Sequence, residues 1–458
     1  MSEIVSKKRK IWFSLLTFLI LILLAGAVYL NSLLRIMTGY AAKNLCSGVF
    51  IAGREPAEFE STDLNFFPIS YTKNKVNYSD SSVTSSFLWR RSRAIDLGEF
   101  GSILVNRSVE KGLRDKDFPT LEGPGYDQDS INWPLGNIIP DSLTGIDREV
   151  LASISDELIN KNSYGGNAFA FMVLHKGIPA AEAYKPQFCE NSLFLSWSMA
   201  KSVTNALIGV LAGQGKIDIY DKADIDEWKD DERKNITIND IMQMQSGLRW
   251  NEDYGNRSDV TVMLTCKNDM AQFAYNQPLE FTPGTHFEYS SGMANVLTYL
   301  IRKCLNNDSL YYSFPYTGLF HRIGITDAVF EIDPSGTFVG SSYLYAKLRD
   351  YARFALLYQQ DGIFNGERIL PEGWVDYTRK PASASDGEYG SLFWLNGKEE
   401  LPSAPTDTYM CVGHDGQRIF IVPSKELIVV VLGYSPKGSM DFDKLLTDVI
   451  GTIEEESN

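Results

Sequence analysis

A serine and a lysine three residues apart form the clearest candidate for chemistry in this sequence. Ser198 and Lys201 lie in the segment Ser-Trp-Ser-Met-Ala-Lys-Ser at positions 196–202. On a helix this spacing puts both side chains on one face, where a neutral lysine amine could take the serine proton. The first turn of such a helix also offers partial positive charge to a developing alkoxide. The pair predicts nucleophilic catalysis by Ser198, and the alternative is a serine that only caps a helix.

The same S-x-x-K spacing occurs twice more, at Ser70 to Lys73 and at Ser108 to Lys111. Only Ser198 begins a long apolar helix directly after a predicted strand hairpin. The other two pairs lie in a loop-rich region, so we interpret them as chance matches.

Two further motifs follow in order along the chain. They are Tyr-Ser-Ser-Gly at 289–292 and Gly-His-Asp-Gly-Gln at 413–417. With them the sequence resembles the class C β-lactamase and penicillin-binding protein superfamily of serine hydrolases. Within it, the resemblance is closer to the branch of esterases and 6-aminohexanoate-dimer hydrolases. It covers roughly residue 141 to the C-terminus and includes three secondary landmarks, the segments 244–248, 250–254 and 351–357.

The resemblance implies a role for each motif residue. Ser198 would be the nucleophile, Lys201 its activating partner, and Tyr289 the group that relays a proton to the leaving group. The backbone N–H of Gln417, which follows Gly416, would pair with the N–H of Ser198 as an oxyanion hole. Without the order of the motifs, Tyr289 would be interpreted as a core tyrosine.

Two positions depart from the β-lactamase pattern. Ser291 stands where β-lactamases usually have Asn, and His414 stands where they usually have Lys. A neutral histidine would hold the carboxylate of a β-lactam or a peptide terminus poorly, and both departures resemble the esterase and amidase branch. His414 could contact substrate or only orient its loop. Tyr254 resembles the mobile-loop tyrosine of the aminohexanoate hydrolases, which contacts the substrate amide; the alternative is a solvated loop tyrosine.

Strand and helix patterns predict what positions these residues. The segments 169–174 and 180–184 form one strand hairpin, and 418–422 and 427–432 form a second. Between them, an apolar stripe predicts a helix over 198–211. Further helices are expected over 153–160 and 442–453 and in the segment 238–357. The patterns therefore predict an α/β fold with a central antiparallel sheet flanked by helices and a helical subdomain. The resemblance implies that this fold is β-lactamase-like.

The N-terminus predicts a membrane anchor. A basic cluster at 7–10 precedes an uncharged, largely apolar run, Ile11–Leu30, which is long enough to cross a bilayer as a helix. We assign 1–10 as a cytoplasmic tail and 11–31 as the anchor, which puts the catalytic domain on the periplasmic side. A cleaved signal peptide is the competing interpretation, because Ala25-Gly26-Ala27 resembles a cleavage site.

The region 32–140 is rich in Ser, Asn, Asp and Pro, with a short strand predicted over 102–105. It keeps aromatic residues such as Phe66, Trp89 and Trp133, so we predict an extension packed on the main domain. The main domain is then 141–458.

Composition excludes several classes of function. The chain has 458 residues and a formal net charge of −15, which argues against nucleic acid because phosphate binding needs clustered Lys and Arg. None of the five cysteines has the spacing of a zinc site, and the four histidines form no HExxH pattern. No metal or organic cofactor is expected.

The sequence thus predicts a membrane-anchored serine hydrolase that cleaves a small-molecule ester or amide through an acyl-enzyme on Ser198. One alternative is a D-alanyl carboxypeptidase or penicillin-binding enzyme of the cell wall, which the His414 departure disfavours. The other is an inactive anchored scaffold of the same fold, which the retention of Ser198, Lys201 and Tyr289 disfavours.

Overall fold

A computed structural model describes residues 2–140, 145–398 and 400–454, with side chains from residue 10 onward. Asp141, the predicted start of the main domain, lies outside the described residues. So do the side chains of Lys7, Lys8 and Arg9 in the basic cluster.

Runs of strands and runs of helices follow one another along the chain, with strands over residues 73–105 near the N-terminus and helices over residues 199–314 in the middle. The helices are α1 (Ser2–Phe50), α2 (Pro56–Ser61), α3 (Arg107–Arg114), α4 (Arg148–Ile159), α5 (Met199–Gly213), α6 (Ile238–Met242), α7 (Asp259–Cys266), α8 (Met270–Tyr275), α9 (Ser291–Leu305), α10 (Asp308–Phe314), α11 (Leu348–Gln359), α12 (Trp374–Arg379) and α13 (Phe442–Ile450). The strands are β1 (Lys73–Asn77), β2 (Ser82–Phe87), β3 (Arg90–Asp96), β4 (Ser102–Val105), β5 (Ala168–His175), β6 (Ile178–Tyr184), β7 (Phe194–Leu195), β8 (Val329–Phe330), β9 (Leu344–Ala346), β10 (Ile363–Phe364), β11 (Glu367–Arg368), β12 (Trp394–Leu395), β13 (Tyr409–Val412), β14 (Arg418–Val422) and β15 (Leu427–Gly433).

The central sheet has six strands in the order β12-β13-β14-β15-β5-β6, and every neighbouring pair is antiparallel. The two hairpins predicted from the sequence therefore lie side by side, because β15 of the second pairs with β5 of the first. In that pairing Val429 lies opposite Val173. The sheet brings together chain segments more than 240 residues apart.

Both faces of the central sheet are covered. In β5, Phe171 and Val173 pack with α4 and α13, whereas Ala170, Met172 and Leu174 belong to the core that contains α5 and α11. Alternate residues of a strand point to opposite faces, so a strand apolar throughout indicates burial on both sides. Helices α6 to α9 form the helical subdomain beside α5. The predicted α/β, β-lactamase-like fold is confirmed.

Most predicted elements are found within two or three residues of their expected ends. β4 and β14 have their predicted bounds, and α13 ends at Ile450, three residues early. α4 begins at Arg148, earlier than expected, because the side chain of Asp147 caps it by accepting from the N–H groups of Glu149 and Val150.

The N-terminal part of the chain was only partly predicted. α1 is a single helix of 49 residues that does not end at Leu30 but continues to Phe50. Its side chains are exposed from residue 11 to 30, whereas Leu34, Ala41 and Leu45 are buried against the four-stranded sheet β1-β2-β3-β4. The segment 10–50 is the one helix among the described residues that is long and apolar enough to cross a membrane.

Candidate active site

The nucleophile candidate lies at the start of α5. Ser198 is the residue just before the first helical turn, and its side chain makes no capping hydrogen bond. The preceding Trp197 has a φ of +45°, in the left-handed region that a bulky side chain rarely adopts. The backbone N–H of Ser196 donates to Leu344 O at 2.8 Å, which ties this turn to β9. The strained turn leaves the Ser198 hydroxyl free for chemistry instead of helix capping.

Lys201 lies one turn along α5 and is 1% exposed. Its Nζ is 2.9 Å from Ser198 Oγ, 2.9 Å from Ser291 Oγ and 3.1 Å from the backbone oxygen of Ser341. A neutral amine can donate its two N–H bonds to Ser291 Oγ and Ser341 O, which leaves its lone pair facing Ser198 Oγ. Proton transfer from Ser198 to Lys201 is therefore possible without any side-chain movement.

Ser291 and Glu252 extend this hydrogen-bond chain. The Ser291 hydroxyl donates to Glu252 Oε1, and the Ser291 backbone N–H donates to Glu252 Oε2 at 2.9 Å. The indole N–H of Trp250 donates to the same Oε2 at 2.5 Å. The result is a continuous path from Ser198 through Lys201 and Ser291 to a carboxylate.

Tyr289 lies on the other side of the lysine. Its ring centroid is 4.7 Å from Lys201 Nζ, a cation–π distance. Trp394 and Tyr389 hold the ring, with centroids at 5.2 Å and 5.8 Å. Tyr289 is half-buried and is thus an aromatic wall of the site that stays accessible.

The third motif forms the connection between β13 and β14. Gln417 anchors it, because its side chain donates to Gly433 O at 2.5 Å and accepts from Gly433 N at 3.1 Å. Gly416 has a φ of +88°, which favours glycine. A Cβ placed on Gly413 would lie 2.4 Å from the backbone oxygen of Ser196, so the loop packs directly against the turn that carries the nucleophile.

Tyr254 and His414 stack on each other at the site, with ring centroids 4.9 Å apart. Trp197 approaches the same imidazole edge-on at 5.4 Å. Burial, followed by the charge of Glu252, raises the pKa of Tyr254 well above its usual value, so this hydroxyl stays protonated. Burial also raises the pKa of Asp415, whose Oδ1 is 3.4 Å from His414 Nε2.

The structure thus connects the predicted site residues by contacts in three groups. Ser198, Lys201 and Tyr289 lie together, Tyr254 stacks on His414, and Gly416 and Gln417 lie in the loop that packs against the turn before Ser198. The other two S-x-x-K serines, Ser70 and Ser108, are exposed and lie elsewhere, although Ser108 is on the helix α3 and not in a loop. Among the described residues, no group of three or more His, Cys, Asp or Glu side chains is placed to hold a metal ion.

Sequence reasoning missed two contributors. Glu252 was noticed only as part of a landmark segment, and no local pattern pairs it with a serine 39 residues later. Tyr40 of α1 stacks near Trp197, with centroids 6.2 Å apart. With Asp415 and Gln417 it lines a narrow cavity behind the third motif, which has about 40 Å³ for water-sized molecules.

Comparison with known proteins agrees with this arrangement. A family model described as Beta-lactamase matches residues 156–450. The 6-aminohexanoate-dimer hydrolase of Paenarthrobacter ureafaciens is 22% identical over 292 residues, which are 58% of this chain and 72% of the relative.

Solved structures show the same fold. A Bacillus anthracis protein provisionally assigned as a 6-aminohexanoate-dimer hydrolase superposes with a TM-score of 0.55 at 20% identity, covering 73% of this chain and 91% of that one. EstCE1, described as a hydrolase with promiscuous acyltransferase activity, gives 0.54 at 13% identity, covering 67% and 99%. Since the family match extends over more than half of the chain, this protein belongs to the Beta-lactamase family and is a serine hydrolase.

Proposed function

We propose that this chain is a membrane-anchored hydrolase that cleaves an ester or amide through an acyl-enzyme on Ser198. The observation that carries the proposal is the 2.9 Å contact between Ser198 Oγ and Lys201 Nζ in a site where Lys201 is buried. A lysine has no structural reason to lie beside a serine at the start of an apolar helix. As a neutral amine it is placed to activate that serine.

In the first half-reaction Ser198 Oγ attacks the carbonyl carbon while Lys201 takes its proton. The carbonyl oxygen becomes an oxyanion held by the backbone N–H groups of Ser198 and Gln417, each worth roughly 3 kcal/mol. The proton that Lys201 has taken then passes through Tyr289, which contacts Lys201, to the leaving alcohol or amine as its bond to the carbonyl carbon breaks. Water then attacks the acyl-enzyme by the reverse sequence of proton transfers and releases the acid.

We further propose that residues 11–31 span the membrane and that 1–10 lie in the cytoplasm. The extension 32–140 and the hydrolase domain 141–458 would then lie on the periplasmic side. The uniform exposure of the apolar side chains from 11 to 30, followed by burial from Leu34 onward, supports this division. A run of this length matches the hydrocarbon thickness of about 30 Å.

The test is covalent labelling of the full-length chain in detergent, read by intact mass spectrometry. A fluorophosphonate probe should add once, forming a P–O bond to Ser198 and releasing fluoride. Ser198→Ala should abolish the adduct. Ser108→Ala is the matched control, because Ser108 has the same spacing to a lysine on an exposed helix and its loss should change nothing.

Other outcomes would change the assignment. An adduct that persists in Ser198→Ala would remove Ser198 as the nucleophile. Protection from the probe by prior treatment with penicillin would favour the cell-wall carboxypeptidase. A folded wild-type chain that forms no adduct would favour the inactive scaffold.

A further inference from the structure

The sheet β1-β2-β3-β4 lies along α1. Its contacts with α1 show which residues of the sheet lie beside which residues of the helix. The indole N–H of Trp89 donates to Asn31 Oδ1 at 3.2 Å. Further along, Thr38 Oγ1 is 2.8 Å from Ser92 Oγ. Seven residues of helix and three residues of strand both span about 10 Å, so β3 runs parallel to α1 as it leaves the anchor.

The far end of the same sheet is fixed as well. Tyr78, in the turn between β1 and β2, packs edge-on against Phe50 at the end of α1, with centroids 5.9 Å apart. Asn31 and Phe50 are separated by about 28 Å along a continuous helix. The turn at Trp89 is therefore the end of the sheet nearest the anchor, and the turn at Tyr78 is the end farthest from it.

The near end carries an unusual surface, which we call the tip surface and define as Phe67, Tyr71, Leu88 and Trp89. Their exposed fractions are 81%, 59%, 64% and 59%. Phe67 and Tyr71 are in edge-to-face contact at 6.1 Å, and Tyr71 stacks at 6.3 Å on Phe87, next to Leu88. The four residues thus form one apolar and aromatic patch.

The turn between β2 and β3 contains residue types that are unusual in such turns. Leu88 and Trp89 form the two-residue connection between β2 and β3, a place where Gly, Asn or Asp is usual. Leu88 has a φ of +50°, in the left-handed region that costs a leucine free energy. Within the protein, Trp89 gains one hydrogen bond, to Asn31, while its ring and the Leu88 side chain stay exposed, which points to a contact outside the protein for their apolar surface.

The anchor identifies that contact. The apolar run ends at Leu30, and the next residue, Asn31, accepts the hydrogen bond from Trp89. Twenty residues of helix span the hydrocarbon layer, so Asn31 lies where the headgroup layer begins. Tryptophan and tyrosine are enriched at that depth because an apolar ring and a polar N–H or O–H are both satisfied there.

The active-site loop reaches the same level. Arg257 Nε donates to Ser32 Oγ at 2.7 Å, and Tyr254, three residues earlier, stacks on His414. Tyr40, which packs near Trp197, is about 13 Å further along α1 than Asn31. Two separate parts of the catalytic chain are thus held at the membrane end of α1.

We propose that the tip surface lies in the headgroup layer of the bilayer that α1 crosses, so that the hydrolase domain rests on the membrane with its active-site loop at the lipid interface. The proposal rests on the anchor assignment above but not on the identity of the nucleophile. The bilayer occupies the tip surface as a continuation of the anchor helix, and no second protein is needed.

Tryptophan fluorescence in lipid vesicles tests this with the full-length chain. Among the described residues only Trp12 and Trp89 are exposed tryptophans, so Trp12→Phe leaves Trp89 as the accessible one. In vesicles of phosphatidylcholine and phosphatidylglycerol, brominated phosphatidylcholine should quench the emission of Trp12→Phe. The additional change Trp89→Phe should remove that quenching, while aqueous iodide should quench Trp89 weakly.

Tyr78 provides the matched control. Tyr78→Trp, in the chain lacking Trp12 and Trp89, puts an equally exposed indole on the same sheet about 28 Å further from the anchor. It should be quenched by iodide and not by brominated lipid. Circular dichroism melts of each variant check folding.

Two results would overturn the proposal. Trp89 could respond like Tyr78→Trp, strongly to iodide and not to brominated lipid; the domain then stands clear of the bilayer. Alternatively, the single variant Trp89→Phe, in which Trp12 is the one exposed tryptophan among the described residues, could show no quenching by brominated lipid. The anchor assignment is then wrong, and the labelling of Ser198 would still decide the catalytic proposal separately.

Discussion

The Ser291 hydroxyl donates a hydrogen bond to Glu252, and the Ser291 backbone N–H bonds the other oxygen of the same carboxylate at 2.9 Å. Because its proton is given to Glu252, the Ser291 oxygen is left to accept from Lys201 at 2.9 Å. Serine can replace asparagine at this position since a neighbouring carboxylate fixes its direction. Glu252 therefore acts as a positioning residue for the lysine.

Glu252→Gln should lower kcat by about 10- to 100-fold with little change in KM, because a glutamine amide can donate to Ser291 and turn its proton toward Lys201. The measurement is hydrolysis of p-nitrophenyl acetate by the full-length chain. Glu288→Gln is the matched control, since Glu288 precedes Tyr289 in the sequence but the side chain paired with its carboxyl group is the imidazole of His286, 3.8 Å away. Equal rates for the two variants would contradict the positioning role.

Gln417→Ala should reduce the rate of acylation about 10-fold or more, because the two bonds to Gly433 that fix the third motif would be lost. The N–H of residue 417 would remain but would no longer be held in place. Gln417→Glu keeps the acceptor for Gly433 N–H but puts a carboxylate against the Gly433 oxygen and a negative charge beside the oxyanion, so it should be no faster than the alanine variant. Stopped-flow labelling with the fluorophosphonate probe gives both rates, and an alanine variant as fast as wild type would refute this view.

Lys43→Met should destabilise the fold by about 3–5 kcal/mol, because it leaves a buried carboxylate without its cation. Lys43 Nζ is 2.7 Å from Glu331 Oε2, and the two residues are 4% and 0% exposed. Glu331 also accepts from Ser47 Oγ and Ser102 N. Thermal unfolding in detergent measures the loss.

The double variant Lys43→Met, Glu331→Gln is the control for this pair. It removes both charges and should recover much of the stability. A single variant as stable as wild type would show that α1 is not held to the hydrolase domain by this ion pair.

One carboxyl group, that of Asp333, should make the folded chain less stable as the pH rises from about 4 to about 6. Burial raises the pKa of Asp333 to about 6, against the hydrogen bonds from Met270 N and Ser335, which favour the charged form. A carboxyl with a higher pKa in the folded chain binds its proton more tightly there. Its stabilising contribution is present below about pH 4 and is lost as pH rises through about 6, by up to about 3 kcal/mol.

Urea unfolding at pH 4.5 and pH 7 measures this contribution, with Asp333→Asn as the comparison. The asparagine variant does not titrate, so the difference in unfolding free energy between the two chains should change with pH in this direction. A difference that is constant with pH would show that Asp333 keeps an ordinary pKa.

Local sequence patterns were enough to predict the main strands and helices of the hydrolase domain. The two hairpins and the helix after Ser198 depend on alternation and on an apolar stripe, which are short-range properties of the chain. The three motifs were identified because their order is specific even though each is weak. Their assembly depends on the pairing of β15 with β5, which no local pattern in the sequence predicted.

Other features depend on contacts between distant residues, which a single sequence does not display. The bond between Glu252 and Ser291 joins a loop to the start of α9, and the ion pair between Lys43 and Glu331 joins α1 to the hydrolase domain. The continuation of α1 past Leu30 was not expected either, because Asn31 and Ser32 are poor helix formers. There the burial of Leu34 and Ala41 stabilises a helix that local preference does not favour.

α1 has no break between residue 11 and Phe50, and this continuity affects how the enzyme encounters its substrate. A hydrolase on a flexible tether sweeps out a volume, and its rate follows the bulk concentration of what it cleaves. On the proposed membrane anchor, a hydrolase that an ion pair and a sheet hold to a rigid helix keeps one position relative to the bilayer and diffuses only within its plane. For such a molecule the relevant quantity becomes the number of substrate molecules per unit area of membrane.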